Sequence, residues 1–334
     1  MLDIGKLPND MLEKILKQFS KPMREEVLSK PVIGEDCAVL DFSGDLCVVT
    51  TDPITGAEDD LGTLAVHVAC NDLASAGAYP VGLMVTLLAP PTASFGQLHL
   101  IMNQVKTEAD KIKADIIGGH TEVTDAVNRI IINIAALGRV KKGAVVTTSG
   151  AQFGDDIILT KYAATEGTVI LANLFEKELI SKIGVERVTL AKGLIGSVSV
   201  LNEGLIAARF GVSSMHDVTE GGVLGAVWEL CSASECGAEI IKASIPLMAE
   251  TELICSCLDI DPLKLISSGS MLITCHNGHG LIELLSKNDI KANIIGKITT
   301  SGECLMIDDN KVVKIIQPES DELYKARKVA GRFF

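Results

Sequence analysis

The sequence predicts an α/β protein, of the mixed α+β kind, that is built from two domains. Strand-like and helix-like segments alternate through both halves of its 334 residues. Between the halves, around residues 141–155, the stretch "KKGAVVTTSGAQFGDD" is rich in glycine and small polar residues, as linkers are. We therefore place one α/β domain at 1–145 and a second at 146–334, each near the usual size of a domain.

The first half reads as alternating strands and helices. Branched residues predict strands in "CAVLDF" and "LCVVTTD". The segment "LGTLAVHVACNDLASAGA" has apolar residues at helical spacing, with Gly77 as its expected end. A strand, "PVGLMVTLLAP", precedes a long helix with Ser94 as its N-cap. We expect "IIGGHTEV" to be a strand that runs into a glycine turn, and "RIIINIAALGRV" to be a further strand.

The second half repeats this mixture. It begins with the strand "DIILTK" and continues with helices between Gly167 and Phe210. Further strands are predicted in "AEIIKASIP", "SMLITCH", "KANIIGKI" and a final pair in "ECLMIDDNKVVKII". A helix is predicted in "AETELICSCL", where we interpret Cys255 and Cys257 as small core residues.

The composition excludes several classes of function. A formal net charge of −13 argues against nucleic acid and anionic membranes as partners, and an aromatic content of 4% leaves few platforms for stacking bases. No apolar run is long enough to cross a bilayer, and the first residues lack the apolar core of a signal peptide. We expect a cytoplasmic protein whose nine cysteines are reduced. None of them has CxxC spacing, so we expect no structural zinc site.

One stretch, "SSMHDVTEGGVLGAVWEL", allows two interpretations. It reads as a short strand, then His216 and Asp217, then a glycine pair that opens a helix. In the first interpretation Asp217 or Thr219 caps the helix and the glycines turn the chain. In the second, Gly221 and Gly222 let backbone amides approach an anion at the helix start, and Asp217 holds a cation beside it.

Other acids also lie where strands and helices end. Asp36 precedes a strand, and Asp52 ends one. Asp72 shares the apolar face of its helix, so it needs a partner, which is either a ligand or a buried hydrogen bond in which the neighbouring Asn71 takes part. His120 follows a Gly-Gly pair and can be a metal ligand, a phosphate donor or a surface histidine.

The usual nucleotide-binding loops are missing from the sequence. It has no GxxxxGK[ST] loop and no strand-borne GxGxxG fingerprint, and it also lacks a GxSxG nucleophile elbow. If the protein binds a nucleotide triphosphate, magnesium ions held by carboxylates must neutralise the phosphates.

Six motifs in order resemble the aminoimidazole ribonucleotide (AIR) synthase-like superfamily. They are "GEDCAVL", "TTDPIT", "NDLASAGAYPVGL", "GGHTEV", "HDVTEGGVLGA" and "SSGSMLIT", and they span about residues 34–274. The last two are most similar to the HypE-related group, which acts in hydrogenase maturation. The resemblance implies an N-terminal α/β domain whose sheet pairs across a homodimer, a C-terminal α/β domain, and ATP with Mg²⁺ in the cleft between them.

The resemblance also implies roles for particular residues. Asp36, Asp52 and Asp72 match acids that bind Mg²⁺ and the ATP phosphates, and Asp217 matches the acid of the second-domain motif, which gives four expected metal ligands. Asp72, Asp217 and His120 are the expected catalytic residues. The expected ATP-binding set adds the polar and glycine residues near these acids: Thr50, Thr51, Asn71, Gly118, Gly119, Thr121, Lys161, Gly221 and Gly222.

Two departures from the family pattern limit what can be transferred. His120 stands where relatives have an acid, so one carboxylate is lost. HypE proteins end in a flexible tail with a terminal cysteine, whereas this sequence ends "KARKVAGRFF" and its last cysteine is Cys304. We therefore expect no carbamoylation of the tail, because it has no sulfur nucleophile. Phe333 and Phe334 are expected either to dock on the protein or to fray.

The resemblance favours an ATP- and Mg²⁺-dependent enzyme that phosphorylates an amide- or carbamoyl-type oxygen. The acceptor is a small molecule or a carbamoylated protein, and a maturation partner protein is expected. Two alternatives remain open: a small-molecule kinase resembling thiamine-monophosphate kinase, and a nucleotide-binding scaffold without turnover. Phosphate release or transfer distinguishes the two enzymes from the scaffold.

Overall fold

A five-stranded sheet forms the first half of the chain. The computed structural model describes residues 28, 34–35, 37–41, 43–57, 59–309, 311–318 and 320–329. The strands run in the order β1-β2-β5-β3-β4, antiparallel except for β3 and β4, which are parallel. Their bounds are β1 Ala38–Asp41, β2 Leu46–Ile54, β3 Tyr79–Ala89, β4 Asp115–Val123 and β5 Ile131–Val140.

Two helices pack beside this sheet. Helix α1, Leu61–Ser75, lies against β2 and β5 and is buried along almost its whole length. Helix α2, Phe95–Ile112, packs on α1 and begins with the predicted cap, because the Ser94 hydroxyl accepts from the Gln97 amide and the Gln97 side chain accepts from the Ser94 amide.

A seven-stranded sheet forms the second half, in the order β12-β11-β8-β10-β6-β9-β7. Only β8 and β11 pair in parallel among its described neighbours. The bounds are β6 Asp156–Thr160, β7 Ser214–Asp217, β8 Gly237–Ile241, β9 Met271–Cys275, β10 Ala292–Thr299, β11 Cys304–Asp308 and β12 Lys311–Ile315. The predicted final strand pair is therefore a hairpin of β11 and β12.

The described helices of the second half pack around this sheet and against α1. They are α3 Thr165–Leu174, α4 Glu176–Ile183, α5 Val185–Gly193, α6 Leu201–Phe210, α7 Gly222–Ala233, α8 Ala249–Leu258, α9 Gly278–Ser286 and α10 Glu322–Val329. Helix α6 packs on α1, and the largest core cluster draws residues from both halves. The predicted two-domain α/β fold is confirmed, and the two halves share an apolar core.

Asn71 joins the two halves through hydrogen bonds. This residue of α1 is fully buried. Its side-chain amide donates to the Val198 carbonyl at 2.9 Å, and its side-chain oxygen accepts from the Val200 amide at 2.8 Å. The chain just before α6 is thereby fixed to α1.

Three local predictions were wrong. The glycines of "IIGGHTEV" form no turn, because β4 continues through them to Val123. A Cβ at Gly119, whose φ is +152°, would lie 2.0 Å from the Val85 carbonyl oxygen, so glycine is needed for close approach of β3. His216 and Asp217 lie within β7 rather than after it. The strand predicted in "AEIIKASIP" ends at Ile241, and a 3₁₀ turn follows it.

Apolar side chains on β3 and β4 are exposed to solvent. The largest are Tyr79, Val81, Met84, Ile116, Ile117 and Val123. All nine residues of β4 are exposed. This surface, which we call the β3–β4 face, is larger than scattered single apolar residues account for.

No single helix in the described ranges combines the length and apolarity needed to cross a membrane. One pair, Val185–Ser197 and Leu201–Phe210, meets that test only when its two helices are combined across a bend of 46°.

Replacing Gly119 should destabilise the first sheet. We expect Gly119→Ala to lower the free energy of unfolding by about 1–3 kcal/mol, because the new methyl group meets the Val85 carbonyl at an unfavourable backbone angle. Gly118→Ala is the matched control, since its Cβ meets only the Met84 side chain at 3.9 Å. Urea titration of both variants checks this, and equal losses of stability would contradict the role of Gly119.

Candidate functional site

A cleft between the two halves contains the main cluster of charged groups. It encloses about 390 Å³ and is lined from the first half by Asp52 and Arg129 and from the second by Glu166, Glu220 and Asp321, among others. Arg129 is the single basic residue among the described residues that line it. The cleft is therefore acidic, with one cation contributed by the first half.

Strand β2 delivers alternate side chains to opposite sides of the first sheet. Thr50 is buried, and its hydroxyl donates to the Asp72 carboxylate on α1 at 2.5 Å. Thr51 faces the other side and exchanges hydrogen bonds with Asn133 at 3.0–3.1 Å. Asp52 follows and lines the cleft, although it does not end the strand as the sequence predicted, because β2 continues to Ile54. The sequence prediction that Asp72 needs a buried partner is met by Thr50.

Glu166 is the most deeply buried acid of the cleft. It lies in the first turn of α3, and burial raises the pKa of its carboxyl to about 7, although the Ser268 hydroxyl acts in the opposite direction. Asp321, Asp52 and Glu220 raise the pKa further by their negative charges. Its Oε2 atom has no hydrogen-bond partner among the described residues. The cleft thus holds a carboxyl group that changes charge near neutral pH.

Asp321, just before α10, reaches the start of α7. Its carboxylate accepts from the Gly221 amide and from the Leu323 amide, both at 2.8 Å. Burial raises the pKa of Asp321 to about 6, and these amide hydrogen bonds oppose the rise. Tyr324 on α10 donates to Glu220 at 2.9 Å. The C-terminal helix is therefore fixed to the second-half wall of the cleft.

The glycine pair at the start of α7 has two distinct uses. No side chain from α7's own N-terminus caps the helix, so the capping interpretation of Asp217 or Thr219 was wrong. Gly221 offers its amide to Asp321 instead. Gly222, with φ of +62°, lies where a Cβ would be 2.5 Å from the Leu263 carbonyl oxygen. The Gly221 amide therefore binds an anion of the chain itself, the Asp321 carboxylate, and the expected binding of a phosphate at this helix start stays a prediction.

Lys161 is held inside the second half. Its ammonium group donates to the Ser197 and Ser199 carbonyls at 2.9 and 2.5 Å and pairs with Glu203 at 2.8 Å. With Asn71, it fixes the chain between α5 and α6. Lys161 and Asn71 were both expected to bind the nucleotide, but their polar side-chain atoms form hydrogen bonds with the backbone of residues 197–200.

Asp217 ends β7 in a fully buried position. The preceding residue, His216, pairs through Nε2 with Glu229 of α7 at 3.1 Å. Thr219 and Glu220, which follow, line the cleft, whereas Gly221 lines a neighbouring cavity of about 610 Å³. Asp217 is therefore buried two residues before the segment that lines the cleft.

The structure does not bring the "GGHTEV" residues to the cleft. Asp52 pairs with Ile134, Ile134 with Val85, and Val85 with Gly119, so three strand spacings, or about 14 Å, separate Asp52 from β4. His120 lies on β4 next to Glu122 at 3.4 Å. The other expected residues of that motif, Gly118 and Thr121, share this exposed strand.

The described residues contain no group of three or more His, Cys, Asp or Glu side chains arranged to hold a metal ion. Asp36, one of the expected ligands, lies outside the described residues, as do Phe333 and Phe334. Asp52 and Asp72 are the expected ligands nearest the cleft.

Sequence reasoning missed four residues of the cleft: Arg129, Glu166, Glu220 and Asp321. Glu166 lies in "LTKYAATEGT" and Glu220 within "HDVTEGG", each beside a residue that was singled out. An acid directly before a helix, as in "SDELY", was the available signal for Asp321.

Family models match most of the chain. The AIR synthase related protein, N-terminal domain, matches residues 34–140, and the AIR synthase related protein, C-terminal domain, matches residues 152–308. The chain belongs to the AIR synthase related family. The predicted domain boundary after residue 145 falls between the two matched segments.

Relatives of the AIR synthase related family include hydrogenase maturation proteins. A putative hydrogenase expression/formation protein of Methanocaldococcus jannaschii is 29% identical over 78% of this chain and 76% of the relative. Carbamoyl dehydratase HypE of Rhodobacter capsulatus is 27% identical over 80% of this chain and 78% of its own length.

Solved structures show the same fold. The HypE-HypF complex has a chain with a TM-score of 0.76 and 21% identity, which covers 92% of this chain and 99% of that one. HypE in complex with ATP has a TM-score of 0.69 and 18% identity, and the match covers 96% of this chain and 98% of that one. Thiamine monophosphate kinase from Aquifex aeolicus has a TM-score of 0.67 and 18% identity, and the match covers 91% of this chain and 96% of that one.

The titration of Glu166 should make stability depend on pH. Its folded-state pKa is raised from 4.5 to about 7, so the folded state binds the extra proton between these values and the free energy of unfolding falls as the pH rises through them. A shift of this size corresponds to roughly 3 kcal/mol.

We expect Glu166→Gln to remove this loss. The difference in unfolding free energy between the variant and the wild-type protein should therefore change in favour of the variant by up to roughly 3 kcal/mol from pH 5 to pH 8. Urea titration at both pH values without divalent metal measures the difference. The exposed residue Glu252 provides the control, Glu252→Gln. A stability difference between wild type and Glu166→Gln that is independent of pH would overturn the assignment.

Proposed function

We propose that this protein is an ATP- and Mg²⁺-dependent enzyme that phosphorylates an amide- or carbamoyl-type oxygen. The observation that carries the proposal is the acidic cleft, in which Asp52 of β2 faces Glu166 and Glu220 of the second half. Relatives named carbamoyl dehydratase HypE and the similar fold of HypE in complex with ATP support it.

The residues present fit a magnesium nucleotide. Carboxylate oxygens are the preferred ligands of Mg²⁺, and the cleft concentrates four carboxyl groups around one arginine. The buried Oε2 of Glu166 has no hydrogen-bond partner among the described residues, which is a cost that a bound cation or ligand donor would relieve. Magnesium, when bound, would neutralise the phosphates and so lower the barrier to phosphoryl transfer.

Particular side chains would take particular roles. Asp52 and Asp72, with Asp36, would hold the metal, and Thr50 orients the Asp72 carboxylate by its hydrogen bond. Arg129 would bind a phosphate oxygen, since it is the basic residue among the described residues that line the cleft. Glu166 can accept a proton at Oε2 near neutral pH, when the amide nitrogen of an acceptor loses one.

A small-molecule kinase resembling thiamine-monophosphate kinase is the second candidate. Its support is the likeness to thiamine monophosphate kinase and the position of Cys304, which is buried in β11 and so is not available as a carbamoylated thiol. The two functions differ in product, because a kinase gives a stable phosphorylated acceptor whereas activation of a carbamoyl oxygen gives free phosphate. Incubation with ATP and each acceptor class, followed by ³¹P NMR, distinguishes them. ATP binding with neither product would favour the scaffold alternative.

Binding of Mg·ATP should depend on Asp52. We expect Asp52→Asn to weaken the affinity by about tenfold or more, because a charged ligand of the metal is lost. Asp110→Asn is the control, since Asp110 is exposed on α2 and its carboxylate pairs with Lys106 of the same helix. Isothermal titration calorimetry measures both. Unchanged affinity in a folded Asp52→Asn protein would remove Asp52 from the site.

We also propose that the protein is a homodimer that pairs through the β3–β4 face. The support is the exposed apolar side chains of that face, which a second copy would cover. In such a dimer the "GGHTEV" residues of β4 would lie at the contact. A maturation protein is the further partner we propose, on the model of the HypE-HypF complex.

The sedimentation behaviour should reveal the dimer. We expect a mass near twice 35.4 kDa at micromolar concentration. Ile117→Asp places a charge in the β3–β4 face and should shift the protein to the monomer. Val185→Asp, at an equally exposed apolar position in α5, should leave the dimer intact. A wild-type monomer, or a dimer that tolerates Ile117→Asp, would refute pairing through this face.

A further inference from the structure

Three cysteines from separate elements meet at the end of α7. Cys231 lies in the last turns of α7, Cys236 follows the helix, and Cys304 begins β11. Cys231 and Cys304 are buried, whereas Cys236 is half-buried and reachable from solvent. The Cys231 thiol lies close enough to both of the other thiols to be affected by their titration. None of the three belongs to the cleft.

The geometry of the helix end forces two of these thiols together. The amide of Cys236 donates to the Cys231 carbonyl at 3.0 Å, and that of Glu235, whose φ is +52°, donates to the Ser232 carbonyl at 3.5 Å. These two hydrogen bonds define a Schellman motif, in which the side chains at the positions of Cys231 and Cys236 contact each other. The backbones are thus held at a separation that a disulfide can span.

The third cysteine, Cys304, lies on a strand of the second sheet. Strand β11 pairs in parallel with β8, and Cys304 lies opposite Ala238, two residues after Cys236. The described residues contain no group of three or more potential ligands arranged to hold a metal ion. The cluster is therefore suited to thiol chemistry between neighbours rather than to binding a metal.

Their surroundings make the three thiols unequal. The neighbouring Cys231 thiol lowers the pKa of Cys236 despite its partial burial, and it lowers the pKa of Cys304 as well. The pKa of Cys231 is raised by its two thiol neighbours and by burial. Of the two thiols whose pKa is lowered, only Cys236 is accessible to solvent. A thiolate is the reactive form of cysteine, so the accessible Cys236 is the first to react and Cys231 remains a thiol beside it.

We propose that this cluster is a peroxide-responsive site in which Cys236 is oxidised by a hydroperoxide and then forms a disulfide with Cys231. The Cys236 thiolate attacks the terminal oxygen of the hydroperoxide. The O–O bond breaks, the leaving alkoxide or hydroxide takes a proton from solvent, and Cys236 becomes a sulfenic acid. The Cys231 sulfur then attacks the Cys236 sulfur, and the thiol proton and the leaving hydroxyl depart as water.

Peptide mass spectrometry of the full chain tests the bridge. After treatment with a stoichiometric hydroperoxide, we expect peptides containing Cys231 and Cys236 to be linked with the loss of two hydrogen atoms, and dithiothreitol to restore them. Cys257 is also half-buried, so it serves as the internal control and should react several-fold more slowly. A Cys236–Cys304 link, or oxidation of Cys257 before Cys236, would overturn the proposal.

Two variants separate the steps. In Cys231→Ala the sulfenic acid at Cys236 has lost its resolving thiol, so we expect dimedone to label Cys236 several-fold more than in the wild-type protein. In Cys236→Ser neither the label nor the link should form at this site, and Cys257→Ser should behave as wild type. Circular dichroism shows that each variant is folded. Equal dimedone labelling of wild type and Cys231→Ala would show that Cys231 does not resolve Cys236.

Discussion

The buried amide of Asn71 is the interaction on which the geometry of the cleft depends. Both ends of this side chain bind backbone groups on either side of residue 199, so α1 of the first half and the chain before α6 cannot separate without leaving polar groups unsatisfied. Asp72 is placed by the same helix and accepts a hydrogen bond from Thr50 of β2. Lys161 fixes the same segment from the other side. The two walls of the cleft are thereby held opposite each other before any ligand binds.

This arrangement brings several carboxylates together, and their mutual repulsion determines which of them can hold a proton in the cleft. Burial and the neighbouring carboxylates keep Glu166 from ionising as readily as a surface glutamate does. Asp321 is affected in the same direction, although backbone amides oppose part of the rise in its pKa. The four acids therefore form a set in which two buried carboxyl groups, Glu166 and Asp321, hold a proton more readily than surface acids do. A set of this kind can hold a cation and a transferable proton at the same time.

The sequence was sufficient for the fold because its elements carry strong local signals. The Ser94 cap, the apolar periodicity of α1 and the branched strands all form as predicted. The glycines were ambiguous, since a glycine needed for close packing against β3 has the same letter as one needed for a turn. Arg129 and Asp321 belong to none of the six motifs, and only tertiary packing brings them to Asp52.

The roles of individual polar residues depended on partners that sequence spacing cannot supply. Asn71 sits next to Asp72 in the chain, yet the two side chains point to different neighbours, Asn71 to the backbone of the second half and Asp72 to Thr50. Motif membership alone placed both in the same ATP and metal site. Only the folded structure distinguishes their roles. Asn71 is a buried amide with both ends bonded to backbone, whereas Asp72 is a carboxylate bonded to Thr50.

The contact between Asp321 and the Gly221 amide also has a thermodynamic consequence. A ligand that needs this amide must bind a minor population in which α10 has left the cleft wall. Its apparent dissociation constant then equals the intrinsic one divided by the fraction of molecules in that open state. Each loss of a contact that holds α10, such as the Tyr324–Glu220 hydrogen bond, raises that fraction and strengthens apparent binding without any new contact to the ligand.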